Sequence, residues 1–369
     1  MAKNKILINA SNLHVGGGVQ VAASFISELY KLQEFNLSVI CSQKVYENLP
    51  EDINTSKFDS FNVCDVSRSS HLSKQQKELF EGYDLCFTVF GPFYYKFPVL
   101  KHICGFAQAW IAYPKNIAYE QLSIKEWLKN KFKFGIQSWY FRHYDALIVE
   151  QKHIKKALVN KGIDANNISV VSNCVSSIYE DQVAWSELPF EFDMRNEVTL
   201  GFIGRPYAHK NVKILLQVDE ILRVKHKMEC NFLFTFSESE MNLCGFTEKK
   251  NFFSVGEISA SQCPAFYQSI DALIFPSLLE CFSASPIEAM KMNTTVLASK
   301  YPFVEELCKN SAFYFNPLNA ENIANTIYSA FSNLQVREEK KKLGINIINN
   351  LPTARDRAKS YLKIIGNSL

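Results

Sequence analysis

Short apolar runs alternate with amphipathic helical stretches along almost the whole chain, and that alternation admits few folds. Ile6–Asn9 reads as a strand, followed by a glycine loop and a helix from Val19 to Leu32. Leu37–Cys41 reads as the next strand, and a helical stretch lies near Lys74–Glu81. Leu85–Phe90, Ile103–Ala107 and Ala146–Val149 are further strands; Gln151–Lys161 is helical in pattern and Ile168–Val171 closes the set. After a polar, acidic stretch, Ser176–Asn196, the pattern begins again. Val198–Ile203, Cys230–Thr235, Asn251–Ser254, Ala272–Phe275 and Thr295–Ala298 read as strands, and Pro286–Met292 and Ala320–Asn333 as helices.

A chain of 369 residues suits two domains. Two α/β units of similar size, joined near 174–197, fit paired Rossmann-like domains. The division expected is 1–175, 176–350, and a C-terminal helix over 351–369 that can cross back to the first domain. Hydrophobic residues at 47% and charged residues at 21% describe a globular protein. A net charge of +3 does not call for a nucleic-acid partner. The ten cysteines form no C-x-x-C pair and mostly sit in apolar runs, which predicts buried thiols in a reducing compartment. No apolar run reaches the roughly 18 residues of a spanning helix, and the first residues lack a signal-type apolar core. A cytoplasmic protein, or one on the cytosolic face of the inner membrane, is therefore expected. The 29 Phe and 16 Tyr suit core packing, sugar platforms or a membrane-facing surface.

Open α/β sheets bind ligands at the carboxyl ends of their strands, so the loops there carry the argument. Gly16-Gly17-Gly18 follows a strand and opens a helix, which leaves backbone N–H groups accessible to an anion. It is neither a G-x-G-x-x-G nor a Walker loop, and a plain tight turn fits it as well. Gly204-Arg205 ends the first strand of the second half, with His209-Lys210-Asn211 close behind. Arginine supplies a fork and lysine a point charge, so the two could share one polyanion; a solvated basic loop is the bland alternative. Glu280 falls on the loop after 272–275, and Glu288 is expected in the first turn of the next helix. Carboxylates there suit the vicinal hydroxyls of a sugar, while dipole compensation would also explain Glu288. Leu122–Tyr144 is the most basic and aromatic stretch of the first half. It holds Trp127, Phe132, Phe134, Trp139, Tyr140 and Phe141 among Lys125, Lys129, Lys131, Lys133 and Arg142. A helix of that composition suits an anionic lipid interface, and core packing accounts for part of its aromatics.

The stretch from Phe253 to Pro317 resembles the nucleotide-binding half of the family 4 glycosyltransferases, a retaining group of GT-B fold. Its pattern of two glutamates with seven residues between them, then Ala-Met, is met by Glu280, Glu288, Ala289 and Met290, after Phe275-Pro276-Ser277. Gly204-Arg205 and Lys210-Asn211 fall where the family has its Gly-Arg and Lys-Asn pairs. Val170–Asn173 resembles the strand that ends the family's N-terminal domain, and Gly16–Gly18 its first glycine loop. There are departures. Cys281 and Ser283 stand where the family has glycines, the Cys-Gly-x-Pro turn reads Met292–Thr295, and Gln108 stands where a donor-contacting histidine is common. His102, at the start of that strand, is expected to be structural.

The resemblance implies two Rossmann-like domains facing each other across a donor cleft, with retention at the transferred carbon. It implies a hexose-type sugar moved from a nucleotide-diphosphate donor to a glycan or lipid-linked saccharide, as in O-antigen or capsule assembly. Arg205, Lys210 and Glu280 would serve the chemistry. Gly16, Gly17, Gly18, Gly204, Arg205, Lys210, Asn211, Ser283, Ala284 and Glu288 would surround the donor, and Gln108 and Trp110 would face the sugar or acceptor. Glu288 would grip the ribose and Glu280 the transferred sugar, with cations in place of a metal and no cofactor required. A nucleotide-sugar epimerase of the same fold, or a non-catalytic nucleotide-sugar-binding subunit, are the alternatives left open.

Overall fold

The computed structural model describes residues 4–34, 36–67, 71–95, 98–189 and 197–369; the end of the polar stretch, 190–196, lies outside these. The chain divides into two compact units, one of Met1–Pro114, Leu128–Cys174 and Pro352–Leu369, the other of Lys115–Trp127 and Val175–Leu351. Residues 115–127, read from the sequence as part of the first domain, group with the second. Their short helical turn Ile117–Gln121 packs against the turn Ala208–Lys210.

In the first unit seven strands form one sheet: β1 Ile6–Ala10, β2 Ser38–Cys41, β3 Ser60–Val63, β4 Tyr83–Thr88, β5 Val99–Phe106, β6 Ala146–Val149 and β7 Ile168–Val170. Their order is β3-β2-β1-β4-β5-β6-β7, and every pairing is parallel, with Ile8 opposite Val39 on one side and Phe87 on the other. A parallel sheet covered on both faces needs strands that are apolar at successive positions, and Leu7 and Ile8 are both wholly buried. Helix Gly17–Lys31 buries Val19, Ala22, Phe25, Ile26 and Leu29, the spacing of one helical face. Phe25 meets Phe87 of β4 and Tyr361 of the C-terminal helix Ala354–Asn367, with ring centroids 5.9 and 5.1 Å away. Burial of a side chain like Phe25 is worth about 1.5–3 kcal/mol, so this contact fastens the last helix to the first unit.

The second unit carries six strands: β8 Val198–Phe202, β9 Cys230–Phe234, β10 Phe252–Ser254, β11 Ala272–Phe275, β12 Thr295–Ser299 and β13 Phe313–Phe315. Their order is β10-β9-β8-β11-β12-β13, again all parallel. Phe232, Phe234, Phe236, Phe246 and Phe252 pack ring on ring, so much of the phenylalanine surplus is core. Every cysteine except Cys263 is buried and all are free thiols.

Strand order reverses between β1 and β4 in the first sheet and between β8 and β11 in the second. Crevices open at such reversals, beyond the carboxyl ends of the flanking strands. In the second unit those ends carry the loops 203–211 and 276–283. Among the described residues no helix is long and apolar enough to cross a membrane.

Candidate active site

The backbone of the loop after β8 is fixed before any side chain acts. Gly204 has φ 130°, a conformation that favours glycine, and its N–H donates to Thr235 Oγ1 at the end of β9 (3.0 Å). The Thr235 hydroxyl donates back to the Gly204 carbonyl at 3.2 Å. Asn211 takes the left-handed conformation, φ 55°, and its side-chain amide donates to the Pro317 carbonyl beyond β13 (2.7 Å). The Leu278 N–H donates to the His209 carbonyl at 2.7 Å, which joins this loop to the one after β11.

Lys210 and Glu280 meet on that framework. Nζ of Lys210 stands 2.6 Å from Glu280 Oε1 and 5.5 Å from the Phe275 ring centroid, with only 16% and 12% of the two side chains exposed. A pair so sheltered is screened weakly by water or salt and keeps its geometry. Beside it, burial lowers the His209 imidazole to about 4, against the opposing pull of Glu280, so the ring is neutral at physiological pH. Tyr207 stacks on that ring at 5.8 Å.

Glu288 departs from the expected place. The helix spans Ala284–Lys291 with Ser283 at its cap, so Glu288 is the fifth helical residue and the first turn holds no acid. Pro286 falls within the first turn, where its missing N–H costs nothing, and this moves the start two residues upstream of the sequence reading. Dipole compensation is thereby removed as the explanation for Glu288. Its Oε2 instead accepts from the Tyr267 hydroxyl at 2.9 Å. Burial pushes its carboxyl above the usual range, and the Tyr267 hydroxyl opposes the shift. Ser283 is buried and Ala284 partly so. Cys281 and Ser283 stand where a glycine was to be replaced, and neither has a positive φ; Asn293 does, at 56°, and takes over the glycine's conformation.

Arg205 and Lys210 leave the same loop without sharing a partner. Arg205 Nε lies 2.8 Å from Glu240 Oε1, and Nη1 is paired with Glu257 Oε1. Neither carboxylate was visible as a site residue in the sequence. Glu240 belongs to a Ser237-x-x-Glu240 capping box and Glu257 follows Gly256, so each reads as local punctuation.

In the first unit Gly16 caps helix Gly17–Lys31 with φ 74°, and a Cβ on Gly16 or Gly17 would meet nothing within 4 Å. No side chain caps this helix and its first turn has no acid. Gln108 caps the short helix Ala109–Ala112 and is partly exposed; Trp110 stacks on Phe134, centroids 5.7 Å apart and planes 6° from parallel. His102 Nε2 lies 2.9 Å from Thr88 Oγ1 and the His102 backbone N–H donates to Asp145 Oδ2, with burial lowering the imidazole pKa to about 4. It is a structural group between β4 and β5, as the sequence suggested. Among the described residues no three His, Cys, Asp or Glu side chains are grouped to hold a metal.

Two parallel, doubly wound units, the second with a sheltered cation–carboxylate pair at its topological switch, give the chain the GT-B fold. Residues 191–349 match the model of the family "Glycosyl transferases group 1". Residues 191–349 are thus similar to that family, and the chain is an enzyme of the glycosyltransferase class. It is 25% identical over 198 residues to the O-antigen chain mannosyltransferase RfbU of Salmonella typhimurium, a match covering 49% of this chain and 52% of that protein. It is 24% identical over 246 residues to a 41.2 kDa protein of the cps region of Klebsiella pneumoniae, covering 66% of this chain and 67% of that one. Anabaena Alr3699/HepE, solved with UDP-glucose, superposes with a TM-score of 0.67 at 15% identity, covering 98% of this chain and 99% of the other.

Proposed function

We propose that the enzyme transfers a hexose-type sugar, with retention, from a nucleotide-diphosphate donor to a glycan or lipid-linked saccharide in surface-polysaccharide assembly. The observation that carries this reading is the Lys210–Glu280 pair, held by three strand-end loops at the switch of the second sheet. Breaking the bond to a diphosphate leaving group builds negative charge on its phosphate oxygens. A cation already fixed there lowers the barrier without reorganising. Lys210 takes that role, and Arg205 completes the diphosphate grip beside the space that Gly204 leaves at the strand end. Glu280 holds Lys210 and accepts from hydroxyls of the transferred sugar. Glu288, aimed by Tyr267, accepts from the ribose, with Asn211, Ser283 and Ala284 lining the same loops. The uncapped helix start at Gly16, Gly17 and Gly18 suits an anion or sugar, and Gln108 and Trp110 suit the sugar or acceptor.

The lipid-linked acceptor is supported by the helix Ile124–Phe141. Ile124, Leu128, Phe132 and Trp139 fall on one of its faces at helical spacing and all are exposed, with Lys125 and Lys129 alongside. Such a face suits the anionic surface of a membrane, where the enzyme would work peripherally. The name of the Salmonella relative, an O-antigen chain mannosyltransferase, supports the polysaccharide setting.

The test of the donor site is Lys210→Ala. Sugar transfer should fall about 10²–10³-fold while the thermal transition persists. Near-normal turnover by the folded variant would remove Lys210 from the chemistry.

A further inference from the structure

We propose that Glu257 is a displaceable anion on the Arg205 fork, which the donor's diphosphate must exchange, and that Glu240 is the fixed carboxylate that aims the fork. The inference rests on the reading of Arg205 as a diphosphate ligand. Arg205, Glu240 and Glu257 stand after β8, β9 and β10, three neighbouring strands, so one guanidinium links the segments that follow all three.

The two carboxylates are not equivalent. Both oxygens of Glu240 are committed. Oε1 takes Arg205 Nε at 2.8 Å, while Oε2 accepts from the Ser237 N–H at 3.0 Å and the Ser237 hydroxyl at 3.2 Å. Those last two bonds cap helix Glu238–Cys244, so moving Glu240 would undo the start of the helix. Glu257 has no such commitment. Its side chain is 67% exposed, and among the described residues its one partner is Arg205 Nη1. Nη2 of Arg205 makes no hydrogen bond among the described residues.

The chemistry of exchange follows from this. Carboxylate and phosphate oxygens are the same kind of acceptor for a planar fork. An exposed ion pair holds weakly, and a diphosphate carries more charge than one carboxylate. A phosphate can therefore replace Glu257 at Nη1 and take Nη2 as well, while Glu240 keeps Nε and the orientation. The displaced Glu257 stays nearby as a like charge that opposes the bound diphosphate and favours its departure. Glu257 is thus a determinant of donor affinity and Glu240 a positioning residue, and the two act with opposite sign.

Calorimetry at low salt decides the matter, with UDP, GDP, ADP and inorganic pyrophosphate titrated into the wild type, Glu257→Gln, Glu240→Gln and Lys210→Ala. Glu257→Gln should bind its preferred nucleoside diphosphate roughly three- to tenfold more tightly, and the gain should shrink at about 0.5 M NaCl. Glu240→Gln should bind more weakly than the wild type. If the Glu240 variant does not fold, the exposed Glu257 site decides alone. Equal or weaker binding by Glu257→Gln, with Lys210→Ala still impaired, would overturn the exchange and leave the donor site standing. If no nucleoside diphosphate binds the wild type, or Lys210→Ala binds as the wild type does, the donor-site reading fails and the exchange with it.

Discussion

Glu280 and Glu288 illustrate how far residue identity alone carries a role. Their spacing, and that of Lys210 and Asn211, is legible in the chain, but what each touches is not. Glu280 is spent on Lys210, whereas Glu288 is held by a tyrosine hydroxyl from another helix. They should therefore fail differently. Glu288→Gln should weaken binding of the bare nucleoside diphosphate about tenfold, as one good acceptor for the ribose is lost. Glu280→Gln should spare that binding and lower turnover by about 10²-fold, because its partners are Lys210 and the reacting sugar. Calorimetry beside turnover separates the two, and equal binding losses would end the division of roles. Arg205 shows the limit of spacing arguments. Proximity to Lys210 suggested one shared partner, yet its carboxylates, Glu240 in a helix and Glu257 in a loop, are placed beside it only by sheet order.

Among the elements, the central strands were legible because burial on both faces leaves unbroken apolar runs, as in Ala272–Phe275. β3 and β13 were not. Both are short and lie at sheet edges, with most of their side chains partly exposed, so their pattern blurs into loop. β5 begins at Val99, four residues before the apolar run, because its first residues are exposed while their backbone is already paired with β4. The helix Ile124–Phe141 divides its aromatics between core and surface. Phe134 and Phe141 are core, whereas Ile124 and Phe132, 81% and 71% exposed, face outward. If that face meets lipid, the wild type should co-sediment with vesicles containing anionic lipid at low salt and be released by high salt. A variant with Lys125, Lys129, Lys131 and Lys133 changed to Ser should lose most of that binding, each cation contributing on the order of 1 kcal/mol at such a surface. Absence of wild-type binding at low salt would point to an acceptor free in solution.

At the scale of the whole molecule, the last helix returns to the first unit and is pinned there by Arg357, which is buried. Its guanidinium donates from Nη1 to Asn173 Oδ1 and from Nη2 to Ser24 Oγ (2.8 Å). Glu150, at the end of β6, is buried nearby, and burial pushes its carboxyl up to about 7 despite the pull of Arg357 and a hydrogen bond with Asn173. In the unfolded chain it would titrate near 4.5, so between that value and about 7 the folded state binds the extra proton. Stability should accordingly fall as pH rises through this window, with a Glu150-dependent change on the order of 3 kcal/mol. Thermal melting from pH 5 to pH 8 should show that slope in the wild type and a flatter one in Glu150→Gln; parallel curves would contradict it. None of this could be read along the chain, since Ser24, Glu150, Asn173 and Arg357 are brought together only by the return of a helix from its far end. What the sequence determined by itself is what short-range chemistry encodes. That includes the alternation that builds parallel sheets, the glycine that ends a strand at Gly204, and the pattern of Lys210, Glu280 and Glu288. Tertiary structure decided which charges meet. Electrostatic partners depend on distance through space, and strand order, not position along the chain, sets that distance.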